Sequence, residues 1–105
     1  MTTEKLDGAT VATRASVYFD GKCVSHAITM PDGSKKSVGV VLPSTLTFGT
    51  VAPEIMECTG GSCDYRLAGS EGWSTSVPGD KFSVGVNTQF EIRVTEAYHY
   101  ICHYG

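Results

Sequence analysis

The sequence predicts an all-β chain folded as one domain, a barrel or sandwich of short strands. Three observations lead there. The chain is a succession of short β-like segments punctuated by Gly, Pro, Asn and Asp, the residues that make turns. No stretch carries a convincing helical pattern. At 105 residues the chain fits one domain with a modest core, so a pocket and the packing compete for the same interior.

Residues 1–15 are polar and mixed, without periodicity, and are expected to form a flexible or loosely docked arm. Residues 16–105 are expected to be the barrel domain, stable without residues 1–12. The first strands are expected at Val17–Phe19 and Cys23–Met30. Pro31-Asp32-Gly33-Ser34 is a strong turn, because Pro fixes φ and Gly supplies a positive φ. Ser37–Leu42 is the return strand, ended by Pro43. Further strands follow at Leu46–Phe48, Ile55–Thr59, Cys63–Leu67, Trp73–Val77, Lys81–Val84, Phe90–Thr95 and Tyr98–Tyr104. Nine or ten short strands at this spacing indicate a sandwich or barrel.

Composition narrows the function classes. A net charge of -3 and a pI near 5.5 argue against a nucleic-acid groove, which carries a basic surplus. There is no apolar run of about 18 residues, so no membrane-spanning helix is expected. The first 15 residues lack a signal peptide's apolar core, so a cytoplasmic location is expected. In that compartment Cys23, Cys58, Cys63 and Cys102 are expected to be buried thiols rather than disulfides. Cys58 and Cys63 flank a hairpin, and His99 and His103 are separated by three residues, a helical ligand spacing. Yet Tyr98–Cys102 reads as a strand, where residues four apart lie roughly 13 Å apart. Ordinary packing is therefore favoured over a zinc site.

One stretch carries the most specific signal. Thr47-Phe48-Gly49-Thr50-Val51-Ala52-Pro53-Glu54, closed by Gly61, resembles the first motif of the cupin family, G-x5-H-x-H-x(3-4)-E-x6-G. Glu54 and Gly61 fit. Thr47 and Gly49 stand in the two His slots, and Val41 replaces the leading Gly. In the second motif, G-x5-P-x-G-x2-H-x3-N, counted from Gly79, Gly85, Asn87, Phe90 and Val94 stand in the Pro, Gly, His and Asn slots. The imidazoles that hold a cupin metal are absent. The resemblance implies a double-stranded β-helix, or jelly-roll barrel, without a metal. It also implies an inward Glu54, with Met56 and Cys58 on its side. Alternation then sends Cys63, Tyr65, Leu67, Phe90, Ile92 and Val94 inward, and Asp64, Arg66, Glu91 and Arg93 outward.

From about Ala15 onward the chain also resembles the pyrimidine/purine nucleoside phosphorylase family of small cupins. The resemblance rests on Tyr18-Phe19-Asp20-Gly21-Lys22, on Asp32 through Val40, on Thr47-Phe48-Gly49-Thr50, on Pro53-Glu54-Ile55-Met56-Glu57, and on Tyr100-Ile101-Cys102-His103-Tyr104. His103 stands where that family has a basic Arg, and Gly85-Val86-Asn87 replaces a Val/Pro-Gly-like turn. The resemblance implies metal-free, cofactor-free phosphorolysis of purine and pyrimidine nucleosides by inorganic phosphate. The products are free base and ribose 1-phosphate. It also implies a homodimer.

The expected catalytic residue is Glu54, which would grip ribose hydroxyls or offset charge on a cation-like sugar. Phe48, Phe90 and Tyr100 would offer stacking surface for many bases, with Thr47 and Met56 beside them. Tyr100 and Tyr104 share a face and would line the barrel or a dimer interface. Lys35 is the expected phosphate contact, ahead of Lys36, Arg66, Lys81, Arg93 and His103. Two other readings need the same barrel. One is a non-catalytic cupin that binds a nucleoside or sugar, and the other is a structural dimer. Phosphate dependence separates them from the enzyme.

Overall fold

The computed structural model describes residues 3–105. Among these, eleven strands form: β1 (Thr10–Val11), β2 (Ser16–Tyr18), β3 (Cys23–Thr29), β4 (Lys35–Val41), β5 (Ser44–Gly49), β6 (Glu54–Gly60), β7 (Cys63–Leu67), β8 (Ser74–Ser76), β9 (Lys81–Val84), β10 (Gln89–Val94) and β11 (Tyr98–Tyr104). They make two antiparallel sheets. The larger runs β1-β3-β4-β11-β6-β9, with β2 also paired to β3. The smaller runs β5-β10-β7-β8. The two sheets close on each other as the expected jelly-roll barrel, because each has one apolar face to bury.

The turns follow their residues. Asp32 Oδ1 accepts hydrogen bonds from the Ser34 amide at 2.9 Å and its hydroxyl at 2.6 Å, and Gly33 supplies φ 86°. Gly61, at φ 66°, closes the β6–β7 hairpin against the chain before β11. A Cβ there would lie 2.0 Å from the Ala97 carbonyl oxygen, so the position accepts only glycine.

The N-terminus differs from expectation in one strand. Within the arm expected at residues 1–15, Thr10 and Val11 pair with Thr29 and Ile28 of β3. The first two residues of that arm lie outside the described residues. The strand expected at Val17–Phe19 stops at Tyr18, and Phe19–Gly21 forms a single 3₁₀ turn. Phe19 and Asp20 there have φ of 53° and 54°, a left-handed conformation that is costly for a bulky side chain.

Burial falls along the central strands from a closed end to an open end. On β11, Tyr98 is 0% exposed and Tyr104 is 44% exposed, with buried Tyr100 and Cys102 between them. Neighbouring β6 repeats the trend, from Cys58 through Met56 to Glu54. Val41, Cys58, Ile92 and Tyr98 fill the closed end. From there Tyr65, Phe82, Phe90, Phe48 and Phe19 form a chain of aromatic contacts. It runs from a parallel Tyr65–Phe82 stack to an edge-on Phe19–Phe48 pair at 5.2 Å. The expected inward set (Cys63, Tyr65, Leu67, Phe90, Ile92, Val94) belongs to this core or packs on it.

The outward set covers the smaller sheet. Arg66 bonds Glu91 at 2.7 Å, Arg93 bonds Asp64 at 3.0 Å, and both guanidinium groups lie over the Trp73 ring. All four cysteines are buried and unpaired. Burial pushes the Cys63 thiol up to about 12, so it stays protonated.

Candidate functional site

The open end holds a cavity of about 330 Å³ between the sheets, near the lower bound of roughly 300–1,000 Å³ usual for small-molecule sites. Its two walls differ because they come from different sheets. The smaller sheet gives an aromatic wall. Phe48 on β5 faces Phe90 on β10 across the pair register, and the rings stack at 5.4 Å. Phe19 reaches over them from the 3₁₀ turn at the mouth.

The larger sheet gives a polar wall, because alternate residues of four adjacent strands face the same way. Cys23 and Ser25 come from β3, Ser37 from β4, Tyr100, Cys102 and Tyr104 from β11, and Glu54 and Met56 from β6. Register sets who meets whom. Tyr104 lies opposite Glu54, and Cys102 opposite both Ser37 and Met56. Ser37 and Tyr104 hydroxyls share a hydrogen bond of 3.0 Å. The Cys102 thiol donates to Glu54 Oε1 at 3.4 Å. The loop carrying Glu54 is held by buried Thr50, whose hydroxyl donates to the Gly85 carbonyl at 2.6 Å and accepts from the Thr88 amide at 3.2 Å.

Tyr100 depends on a glycine. Gly39 lies opposite it on β4, and a Cβ there would sit 2.6 Å from the Tyr100 hydroxyl oxygen. The ring therefore lies across the bare backbone, as an in-strand glycine permits. Its hydroxyl comes within 3.5 Å of Cys23 Sγ.

Burial sets the electrostatics. It raises the Glu54 carboxyl above its ordinary value, and the Cys102 hydrogen bond only partly offsets this. Burial, reinforced by the Glu54 charge, pushes Cys102 up to about 12. Burial also pushes Tyr104 up to about 12 against the Ser37 hydrogen bond, and it raises Tyr100 and Cys23. Thiols and phenols here are neutral donors, and Glu54 is the one carboxylate in the lining among the described residues. Among the described residues no Lys, Arg or His lines the cavity.

Most of the expected residues converge here: Glu54, Phe48, Met56, Phe90 and Tyr100 line the cavity. Three placements differ from expectation. Thr47 borders the cavity, but it lies opposite Glu91 and is exposed, on the side of the strand away from Phe48. The inward position on β5 therefore belongs to Phe48. Lys35 lies outside the cavity, its ammonium donating to Thr29 Oγ1 at 3.0 Å, because the turn-proximal end of β4 projects beyond the barrel. His103 points to the opposite face of the larger sheet, since it alternates with Cys102 and Tyr104. There its Nε2 lies 2.8 Å from Glu57 Oε1 and its Nδ1 lies 2.7 Å from Lys36 Nζ. An ammonium can only donate, so Nδ1 accepts and Nε2–H donates to Glu57.

Sequence reasoning missed Ser25, Ser37, Cys23 and Phe19. The first three carry a signal that alternation alone could have supplied: they share faces with Ala27 or with Gly39 and Val41. Phe19 carries none, because its reach depends on the left-handed turn.

The comparisons agree with this architecture. A profile described as pyrimidine/purine nucleoside phosphorylase matches residues 13–104. A protein of that name from Paracidovorax citrulli is 71% identical over 105 residues, covering 100% of both chains. A crystal structure of a protein of unknown function from Acinetobacter sp. ADP1 superposes with a TM-score of 0.94 at 39% identity, covering 96% of this chain and 98% of that one. The EutQ protein of Clostridium difficile shares the fold alone, with a TM-score of 0.69 at 12% identity over 90% of this chain and 79% of its own. With a profile spanning nearly the whole chain and a relative this similar along its full length, the chain belongs to the pyrimidine/purine nucleoside phosphorylase family.

Proposed function

We propose that this chain is a nucleoside phosphorylase of broad specificity, a pentosyltransferase acting on purine and pyrimidine nucleosides. A phosphate oxygen bonds to C1′ of the ribose as the C1′–N bond to the base breaks. The bonding pair leaves on the base nitrogen, which takes up a proton, and α-D-ribose 1-phosphate departs. The observation that carries this reading is the two-walled cavity, with stacked Phe48 and Phe90 opposite Glu54 and its hydroxyl neighbours. The phenylalanine rings offer a stacking face and no hydrogen-bonding groups, so they accept many bases without reading their edges. Glu54 stabilises the cation-like sugar or holds its hydroxyls. Family membership supports the same reaction.

No metal or other cofactor takes part in this reading, and phosphate is the co-substrate. The three slots that carry imidazoles in metal cupins hold Thr47, Gly49 and Phe90 here, none of them a strong metal ligand. Among the described residues no three His, Cys, Asp or Glu side chains gather as a ligand set. A cytoplasmic, homodimeric protein completes the proposal. Its support is four unpaired thiols, as in a reducing compartment. The outer face of the larger sheet adds Val24, Val38 and Val40 around an open groove of about 900 Å³.

The test is incubation with uridine or inosine, with and without phosphate, and with and without a chelator. Base release that requires phosphate and survives the chelator is expected. Release independent of phosphate, or no release, overturns the phosphorylase. Activity lost to the chelator and restored by Zn, Mn or Fe overturns the metal-free mechanism. Sedimentation measures the dimer.

A further inference from the structure

We propose that inorganic phosphate binds in this cavity to neutral hydroxyls, those of Ser25, Ser37 and Tyr100, and is taken as its monoanion. The proposal rests on the phosphorylase reading and names the co-substrate's subsite.

The first observation is the missing cation. Phosphate sites usually use Arg or Lys, yet among the described residues none lines this cavity. The basic side chains expected to serve are engaged elsewhere. Lys35 bonds Thr29, Lys36 bonds His103, Arg66 bonds Glu91, Arg93 bonds Asp64, and Lys81 lies 4.0 Å from Glu57. An anion in the cavity must therefore be held by neutral donors.

The second observation is Ser25. It is 6% exposed and lines the cavity. Its hydroxyl makes no hydrogen bond among the described residues. The enclosed unpaired hydroxyls are those of Ser76 and Tyr98, so that of Ser25 opens into the cavity and is free to donate to a bound acceptor.

The third observation places two more donors beside it. Ser25 and Tyr100 are both direct cross-strand partners of Gly39, one on each side. Without a Cβ at Gly39 the Tyr100 ring lies across the gap towards β3. There its hydroxyl has only a thiol neighbour, a weak partner. Ser37 is the next residue along β4 on the same face, and it also lines the cavity. Three hydroxyls from three adjacent strands thus face one volume.

Chemistry then selects the ionic form. The cost of removing an ion from water grows with the square of its charge, and no cation offsets it here. The Glu54 carboxylate in the same lining repels a second negative charge. A phosphate monoanion fits such a site. A dianion does not, whether it is hydrogen phosphate or sulfate.

Calorimetric titration of the full chain with inorganic phosphate alone tests this. The titration is repeated across the second ionisation of phosphate, then with sulfate, for wild type, Ser25→Ala, Ser37→Ala and Lys35→Ala. Phosphate affinity should fall as pH rises, and sulfate should bind at least tenfold more weakly. Each serine variant should lose about tenfold or more in phosphate affinity, as for a hydrogen bond to a charged group. Its KM for phosphate should rise in step, with that for nucleoside changed less. Lys35→Ala should match wild type. If a serine variant does not fold, Tyr100→Phe, which keeps the ring, reports on the same subsite. Unchanged affinity in the hydroxyl variants, affinity that rises with pH, sulfate bound as well as phosphate, or loss in Lys35→Ala overturns the proposal. If wild type releases base without needing phosphate, the phosphorylase reading falls, and the titration still decides the subsite.

Discussion

Glu54 and Glu57 sit on the same strand and on opposite faces of the larger sheet, and burial alone misjudges them both. Glu57 is only 3% exposed, while Glu54 is partly open to the cavity. Yet the Glu57 carboxyl lies below its ordinary value and the Glu54 carboxyl above it. Burial raises Glu57 too, but hydrogen bonds from Thr3 and His103 and the Lys81 charge outweigh it. Glu54 has one weak thiol donor. The difference lies in partners. The outer face compensates its charge with Lys36, His103, Glu57 and Lys81 in a row. The inner face leaves one charge uncompensated, as sites of chemistry tend to do.

If this contrast is functional, the largest effect belongs to Glu54→Gln. It should lower kcat for phosphorolysis by about 10²–10³-fold, the range for one preorganised electrostatic group, with KM changed less. Stability should hold or improve, because an uncompensated buried carboxylate is costly. A folded Glu54→Gln protein with wild-type turnover would remove Glu54 from the mechanism.

Glu57→Gln should do the reverse. Denaturant unfolding should show a loss of about 1–3 kcal/mol, the cost of breaking hydrogen bonds to a buried charge. Turnover per folded molecule should stay near wild type. A large fall in kcat with stability intact would join the two faces into one machine and break the comparison.

The pH dependence sharpens it with opposite signs. The ordinary glutamate value is 4.5. Glu57, with its folded value lowered, stabilises the fold above that pH, and its contribution is lost as pH falls through the folded value. Glu54, with its folded value raised, contributes fully below 4.5 and loses that contribution as pH rises through the folded value. Melting temperatures across a pH series should therefore show the wild-type advantage over Glu57→Gln vanishing in acid. Any advantage of Glu54→Gln over wild type should vanish in acid too and grow as pH rises. Matching pH trends for the two carboxylates would refute the assignment.

The smallest effect is expected at the end of the outer row. Lys36→Ala removes one donor to His103 and should cost about 1 kcal/mol or less, as for a single half-buried polar contact. A larger loss by the same unfolding assay would mean that the row acts as one cooperative network.

Local chemistry made much of the barrel legible. The strands Cys63–Leu67, Lys81–Val84 and Tyr98–Tyr104 form with the expected bounds, because each is a short alternating run cut by turn residues. The Asp32-Gly33-Ser34 turn and the glycine at 61 follow from φ requirements. The inward and outward sets on β7 and β10 follow from the two-residue period. The β1 pairing was not legible. Two residues carry no periodicity, and only the open edge of β3 recruits them. The left-handed turn at Phe19 was equally hidden, since a bulky aromatic gives no local reason to adopt it.

The sequence by itself determined an all-β single domain, its family, and a carboxylate on the strand that opens the cavity. These depend on residue type, period and spacing along the chain. The tertiary structure decided which side chains share a volume. It turned Thr47 outward and Phe48 inward, and it sent His103 to the outer face to meet Glu57. It also gathered serines from two strands and tyrosines from a third around Gly39 and Glu54, with no cation among them. Those outcomes depend on register between strands far apart in the chain, where a one-residue difference moves a side chain to the opposite face.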